Sequence, residues 1–266
     1  MSVKEQSFIS VASYNVLCDA YIRPEFYPLC DPAAFRPDRR HPLLLDRVAG
    51  LGTDIICLQE VDAEMYEQLR RRLASEGYVG RGAQKMNGKP DGCATFVRDK
   101  FTIHGWVTRV FMDRLANRSP SGHVALETML TTEEGHLVVI ANTHFKWDPP
   151  ETPPEARYGI AQATELMKGR DQNINSIVCG DFNAEHGSDT MNVFARAGHH
   201  NAHAWTMAPT CVANGKARKI DAILCSKSML VHDFSTPPIG DATPLPSATE
   251  PSDHVPIVAT LVTDGY

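Results

Sequence analysis

The sequence predicts an α/β protein with mixed sheets, and three observations carry that prediction. Strand-like runs rich in Val, Ile, Phe and Thr alternate with helix-like stretches along the chain. Several of the runs are apolar at successive positions, as strands covered on both faces are. One pair reads as an antiparallel hairpin, VALETML then TTEEGH then LVVIAN with Gly135 in the turn, which a purely parallel sheet excludes.

The elements follow in order. Phe8–Tyr14 is a strand, and the proline-rich Tyr21–Pro42 is a long loop. Pro42–Leu51 places Leu43, Leu44, Arg47 and Val48 at helical spacing. The strand Asp54–Leu58 leads to a helix with Asp62 as N-cap and Gly77 as its stop. Cys93–Val97 is a strand, and the hairpin pairs Val124–Leu130 with Leu137–Asn142. Helix Glu155–Arg170, strand Asn175–Cys179, helix Asp189–Ala197 and strand Ile220–Cys225 come next. A second proline-rich loop, Ser235–Ser252, precedes the strand Val255–Val262. Neither loop has the composition of a linker, so residues 1–266 read as one domain.

Composition narrows the class. The 266 residues carry 26 Lys and Arg against 32 Asp and Glu, a net charge of −6. Hydrophobic residues at 42% and charged residues at 22% exclude a disordered or fibrous chain. No apolar run approaches the ~20 residues of a membrane span, and the opening MSVKEQSF lacks the basic n-region of a secretory leader. The acidic balance speaks against indiscriminate binding to long duplexes, which depends on basic patches. Seven scattered cysteines form no C-x-x-C pair, and Cys57, Cys179 and Cys225 lie in apolar runs. They suit a reducing, cytoplasmic setting and argue against zinc.

The chemistry-bearing residues sit at strand ends. Asn15 follows FISVASY, Glu60 follows DIICLQ, Asn142 and His144 follow LVVIA, and Asp181 and Asn183 follow NSIVCG. Asp221 lies in KIDAILC, and Asp253 and His254 precede VPIVATLV. A strand end projects its side chain from rigid backbone, as a reactive constellation needs. Alone, Glu60 reads as a solvated carboxylate at a helix start, and Asp181 and Asn183 as turn formers. Repetition of the pattern favours a shared site. Carboxylates and amides without cysteine are hard oxygen donors suited to Mg²⁺, with Mn²⁺ able to substitute. With histidines alongside, the parts read as metal-assisted phosphoester hydrolysis.

The segments SYNVL, CLQEVD, ANTHF, GDFNA, KIDAIL and PSDHVPI, in this order, resemble the endonuclease/exonuclease/phosphatase superfamily that includes DNase I. YNVLCDAY, PDGCATF and NTHFKWDP resemble its CCR–NOT deadenylase, nocturnin and Angel branch. The resemblance implies a DNase I-like four-layer sandwich, two mixed β-sheets flanked by helices with the site at one rim. It implies metal ligation by Glu60, Asn15 and Asp253. Asp181 would activate the water, with Asn183 holding the water or a phosphate oxygen. His144 would donate to the phosphate, and Asp221 would orient His254.

Around this core, Trp147 is a candidate stacking surface and Tyr21 a second, while Lys85, Lys89 and Arg157 are candidates for a further phosphate. His199, His200 and His203 read as a solvated surface turn, because no partner of metal-ligand spacing accompanies them. The expected activity is an Mg²⁺-dependent phosphodiesterase on RNA or nucleotides, foremost a 3′-exoribonuclease or deadenylase, acting as a monomer without an obligate protein partner. The alternatives are a 2′,5′- or 2′,3′-cyclic phosphodiesterase, a nucleotide phosphatase, a lipid-directed phosphoesterase, and a non-catalytic nucleic-acid-binding scaffold.

Overall fold

The computed structural model describes residues 6–115 and 119–263. In chain order these form β1 Ser7–Asn15, α1 Pro37–Ala49, β2 Ile55–Asp62, α2 Ala63–Ala74, β3 Tyr78–Gln84, β4 Asp91–Arg98 and β5 Thr102–Val110. Then come β6 Val124–Thr131, β7 Leu137–His144, α3 Tyr158–Met167, β8 Asn175–Asp181, α4 Asp189–Arg196 and β9 His199–Asn201. The series ends with β10 Cys211–Ala213, β11 Lys216–Arg218, β12 Asp221–Ser226, β13 Met229–Ser235 and β14 Ile257–Thr263.

One sheet runs β13-β14-β1-β2-β4-β3, the other β5-β6-β7-β8-β12-β9, and β10-β11 is a separate hairpin. Each large sheet holds one parallel pair near its middle, β1 with β2 and β7 with β8, among antiparallel neighbours. Both sheets are therefore mixed, as the hairpin in the sequence implied.

The sheets face each other across Ile9, Val11, Ile55 and Cys57 on one side and Val138, Ile140, Ile177, Cys179 and Ile223 on the other. On the outer face of the first sheet, Ile56, Leu58 and Phe96 pack under Leu44 and Val48 of α1 and Met65, Leu69 and Leu73 of α2. On the outer face of the second, Ala141, Val178 and Leu224 pack under Leu166 of α3 and Phe194 of α4. Successive residues such as Ile55 and Ile56 thus bury on opposite faces, which is why these strands read as unbroken apolar runs. The arrangement has four layers: helices, sheet, sheet, helices.

Asn142 joins the two sheets. Its buried Nδ2 donates to Leu58 O at 3.0 Å and Ala94 O at 2.9 Å in the facing sheet, and its Oδ1 accepts from Gln59 Nε2 at 2.8 Å. Sequence grouped this residue with the strand-end polar set; the structure gives it to the seam.

Some expectations need correction. α1 begins at Pro37 rather than Pro42, because Pro37 serves as the first helical residue and Pro42 is carried inside the helix. α3 begins only at Tyr158; Pro154–Ala156 is a separate 3₁₀ turn, and the Asp148 carboxylate caps Tyr158 N at 3.1 Å and Gly159 N at 2.9 Å. The histidine cluster is not a solvated turn. His199 and His203 are buried, His199 in edge strand β9 against Ser176 Oγ at 2.7 Å and His203 against Val258 O at 3.0 Å. Strands β3, β5 and β13 escaped sequence reading because they lie at or near sheet edges, with exposed polar residues breaking the apolar pattern.

Candidate active site

The parallel pairs deliver their C-terminal ends to one rim. Asn15 lies beside Gln59 in the first sheet, His144 beside Asp181 in the second, and Asp221 pairs with Asp181 from the other side. Local backbone aims the side chains. Glu60 has φ +60° at a register shift between Gln59 and Val61, a bulge that turns its carboxylate out of the strand alternation. Gly180 has φ +146°, and a Cβ there would stand 1.8 Å from Thr143 O, so the close approach of β8 to β7 requires glycine. Asn183 takes φ +48°, and its own N–H closes onto Asp181 Oδ1 at 2.9 Å.

The convergence is tight. Asn15 Nδ2 donates to Glu60 Oε1 at 3.1 Å and to Asp181 Oδ2 at 3.0 Å, and Cys18 N donates to Glu60 Oε2 at 2.9 Å. Asp181 Oδ2 lies 3.7 Å from both His144 Nε2 and His254 Nε2. His254 Nδ1 is 2.8 Å from Asp221 Oδ2, which also accepts from Thr210 Oγ1 at 2.5 Å. Asn183 Nδ2 donates to Phe145 O at 2.9 Å and lies 3.1 Å from His144 Nε2. Asp253 is buried beside this group and accepts from Tyr27 Oη at 2.9 Å. Sequence placed these eight residues together, and the structure assembles them.

The electrostatics split the groups by role. Burial, reinforced by the Asp221 carboxylate, pushes the Asp181 carboxyl up to about 7. Burial also raises Glu60, with Lys85 opposing and Asp253 adding to the rise. His144 falls well below its ordinary value through burial and the neighbouring Lys85, and both its ring nitrogens face donor groups. His254 is the opposite case: burial disfavours its charge, yet Asp221 outweighs that and holds it well above the usual imidazole range. One imidazole is neutral and its neighbour charged.

The donor set fits a hard divalent cation. Glu60, Asn15, Asp181 and Asp253 offer oxygens without a sulfur ligand, and the largely buried Glu60 carboxylate has N–H donors but, among the described residues, no paired ammonium or guanidinium within hydrogen-bonding distance. Asp181, Asp221 and His254 also bring ligand atoms within 4.8 Å of one another, but Asp221 and His254 already spend theirs on each other. Glu60 is therefore the stronger anchor.

Lys85 and Tyr21 stand deeper than rim residues. Lys85 Nζ is buried 2.5 Å from Asp91 Oδ2 and 3.2 Å from His144 Nδ1, while Tyr21 Oη donates to Asp91 Oδ1 at 2.7 Å. Trp147, half exposed, and Arg157 do reach the rim, lining a cleft of about 410 Å³ that begins at Asn183. Lys146, Lys216 and Arg218 line it too. All three were missed, although Lys146 lies in the NTHFKWDP motif and the Asn214-Gly215 turn that presents the other two, at φ +54° and +65°, is a hairpin signal.

Comparison with known proteins agrees with this fold. The chain is 27% identical over 335 residues to the CCR4-Not complex 3′-5′-exoribonuclease subunit Ccr4 of Candida albicans, covering 94% of this chain and 40% of that protein. It is 29% identical over 214 residues to 2′,5′-phosphodiesterase 12 of Mus musculus, covering 68% and 35%. It thus spans well under half the length of these relatives. The human Nocturnin catalytic domain superposes with a TM-score of 0.74 at 25% identity, covering 97% of this chain and 96% of that one. ANGEL2, a 2′,3′-cyclic phosphatase, superposes at 0.82 with 18% identity over 97% and 96%, a likeness of fold. Three of these are named for cleavage of phosphoester bonds: an exoribonuclease subunit, a phosphodiesterase and a cyclic phosphatase. The Endonuclease/Exonuclease/phosphatase family model matches residues 12–254, the span from the middle of β1 to His254, and the chain belongs to that family.

Proposed function

We propose that this chain is a divalent-cation-dependent phosphodiesterase that hydrolyses RNA or nucleotides, foremost as a 3′-exoribonuclease, with Mg²⁺ as the working ion. The observation that carries the reading is Asp181, placed between a neutral and a charged imidazole, bridged to Glu60 by Asn15 Nδ2, and two residues before Asn183 at the edge of a cleft whose lining includes Lys146, Arg157, Lys216 and Arg218. A cleft lined by these four cations against the two carboxylates of Asp148 and Glu185, on a chain of net charge −6, favours a substrate with phosphates beyond the one that reacts.

The residues divide the work. Asp181, with its pKa near neutrality, takes a proton from the attacking water as its oxygen bonds to phosphorus. Imidazolium His254, held by Asp221, faces the charge that builds on the phosphate. His144, accepting from Lys85 at Nδ1, carries its single proton on Nε2 and supplies that N–H to a phosphate oxygen, and Asn183 holds the phosphate or the water. The bond from phosphorus to the ester oxygen then breaks, the leaving alkoxide takes a proton from solvent water, and Asp181 returns its own proton to solvent. A cation on Glu60, Asn15 and Asp253 would neutralise phosphate charge and polarise the water. Trp147 offers a stacking face for a base.

The likeness to 2′,5′-phosphodiesterase 12 favours a second substrate, the 2′,5′ linkage. We further propose that the protein works in the cytosol, without an obligate partner. The test is a panel at fixed Mg²⁺ of poly(A), 2′,5′-oligoadenylate, RNA ends bearing 2′,3′-cyclic phosphate and bis-p-nitrophenyl phosphate, each with and without EDTA and beside Glu60→Ala. Turnover that persists in EDTA or in the variant defeats the mechanism.

A further inference from the structure

α1 braces the site without lending it a ligand. The Arg40 guanidinium is only 3% exposed, and Nη1 donates to Val16 O at 3.0 Å and to Pro251 O at 3.1 Å. Nη2 donates to Asp19, whose other oxygen lies 2.7 Å from His41 Nε2. Val16 directly follows Asn15, and Pro251 directly precedes Ser252, Asp253 and His254. One planar group thus grips both chain segments that deliver the site. Two turns along the helix, Arg47 Nε donates to Glu250 Oε2 at 3.0 Å, and the other oxygen of Glu250 accepts from Tyr14 Oη. Ser252 Oγ closes the same gap from within, donating to Asn15 O at 2.7 Å.

A buried cation is a poor source of stability, since apolar packing of equal volume commonly does as well. Its geometry is the distinctive part. Two carbonyls converge on one nitrogen and a carboxylate on the next, which matches the rigid fork of arginine and not the single point of lysine. We infer that Arg40 is a positioning residue for the cation site: it fixes the spacing between the limb carrying Asn15 and the limb carrying Asp253 and His254. This rests on the hydrolytic reading given above.

The test titrates Mn²⁺ into the metal-free protein by calorimetry for wild type, Arg40→Ala and Arg40→Lys, and measures kcat and KM on bis-p-nitrophenyl phosphate. Arg40→Ala should bind Mn²⁺ about tenfold or more weakly, in the range seen when outer-shell partners of a metal site are removed. Its kcat should fall while KM stays unmoved, methylguanidinium should restore part of both losses, and Arg40→Lys should fall between. Wild-type Mn²⁺ affinity and kcat in a folded Arg40→Ala overturn the inference. Should that variant fail to fold, Arg40→Lys and Arg47→Gln decide by the same two quantities, and wild-type values in both again overturn it. A wild-type chain that binds Mn²⁺ but hydrolyses no ester defeats the proposed function alone, because the affinity series still reads the brace; one that binds no Mn²⁺ defeats both.

Discussion

His254 and Asp221 are joined by a buried 2.8 Å contact from Nδ1 to Oδ2, while the other oxygen of Asp221 is buried with no hydrogen-bond partner among the described residues. The whole of that carboxylate's bonding is concentrated on the imidazole and Thr210. Asp221→Asn removes the charge that holds His254 protonated, so less imidazolium remains at neutral pH. The expected result is a fall in kcat on the order of 10²-fold or more, with the alkaline limb of the pH–rate profile moved to lower pH. An unchanged limb would separate His254 from the charged role.

Glu60→Gln should trade activity for stability. A carboxyl whose pKa rises on folding weakens the folded state once the pH exceeds the ordinary carboxylate range, because the unfolded chain releases its proton first. The neutral amide removes that penalty. At pH 7 and without metal, urea melts should show the variant at least as stable as wild type, while calorimetry shows Mn²⁺ binding lost.

Asn142→Ala should destabilise the fold by about 2–4 kcal/mol, since it removes the buried donor shared by the Leu58 and Ala94 carbonyls, while Gln59 keeps Ser13 Oγ and Cys57 O as acceptors. Denaturant midpoints test this. A value within experimental error of wild type would mean that water replaces the amide.

His123 sets an acid limit on stability. Burial and the Lys85 charge lower it to about 3, so between about 3 and 6.5 the unfolded chain takes up a proton that the folded chain refuses. Stability should therefore fall as the pH drops through that window, by up to about 1.4 kcal/mol per unit from this residue. His123→Phe should flatten that slope in metal-free melts.

The cleft cations should act on binding. Lys216→Ala with Arg218→Ala should raise KM for an oligonucleotide and reduce its salt dependence, leaving kcat on bis-p-nitrophenyl phosphate near wild type. Loss of kcat on the small ester would place these residues nearer the chemistry.

The central strands and the converging side chains were legible because both-face burial writes apolar runs and strand ends write polar punctuation. The left-handed bulge at Glu60 was not, since nothing in a glutamate announces φ +60°. Lys85 looked like a free cation because its partner Asp91 meets it only when β3 and β4 fold together. Arg40 was hidden in RPDRRHP, the end of the stretch read as the proline-rich loop Tyr21–Pro42, because the two carbonyls it grips are brought to it only by the fold.

The converging side chains of the candidate site stand on or beside strand ends of the two packed sheets, whereas the cleft takes its cations from a loop and from the small β10–β11 ribbon outside either sheet. That ribbon is tied to the site it flanks, because Cys211 of β10 bridges to His254 and Val212 N donates to Asp253 O at 2.8 Å. Recharging the outer strand at Lys216 and Arg218 is therefore the gentle route to a new substrate preference, while grafting a foreign hairpin would drag Asp253 and His254 with it.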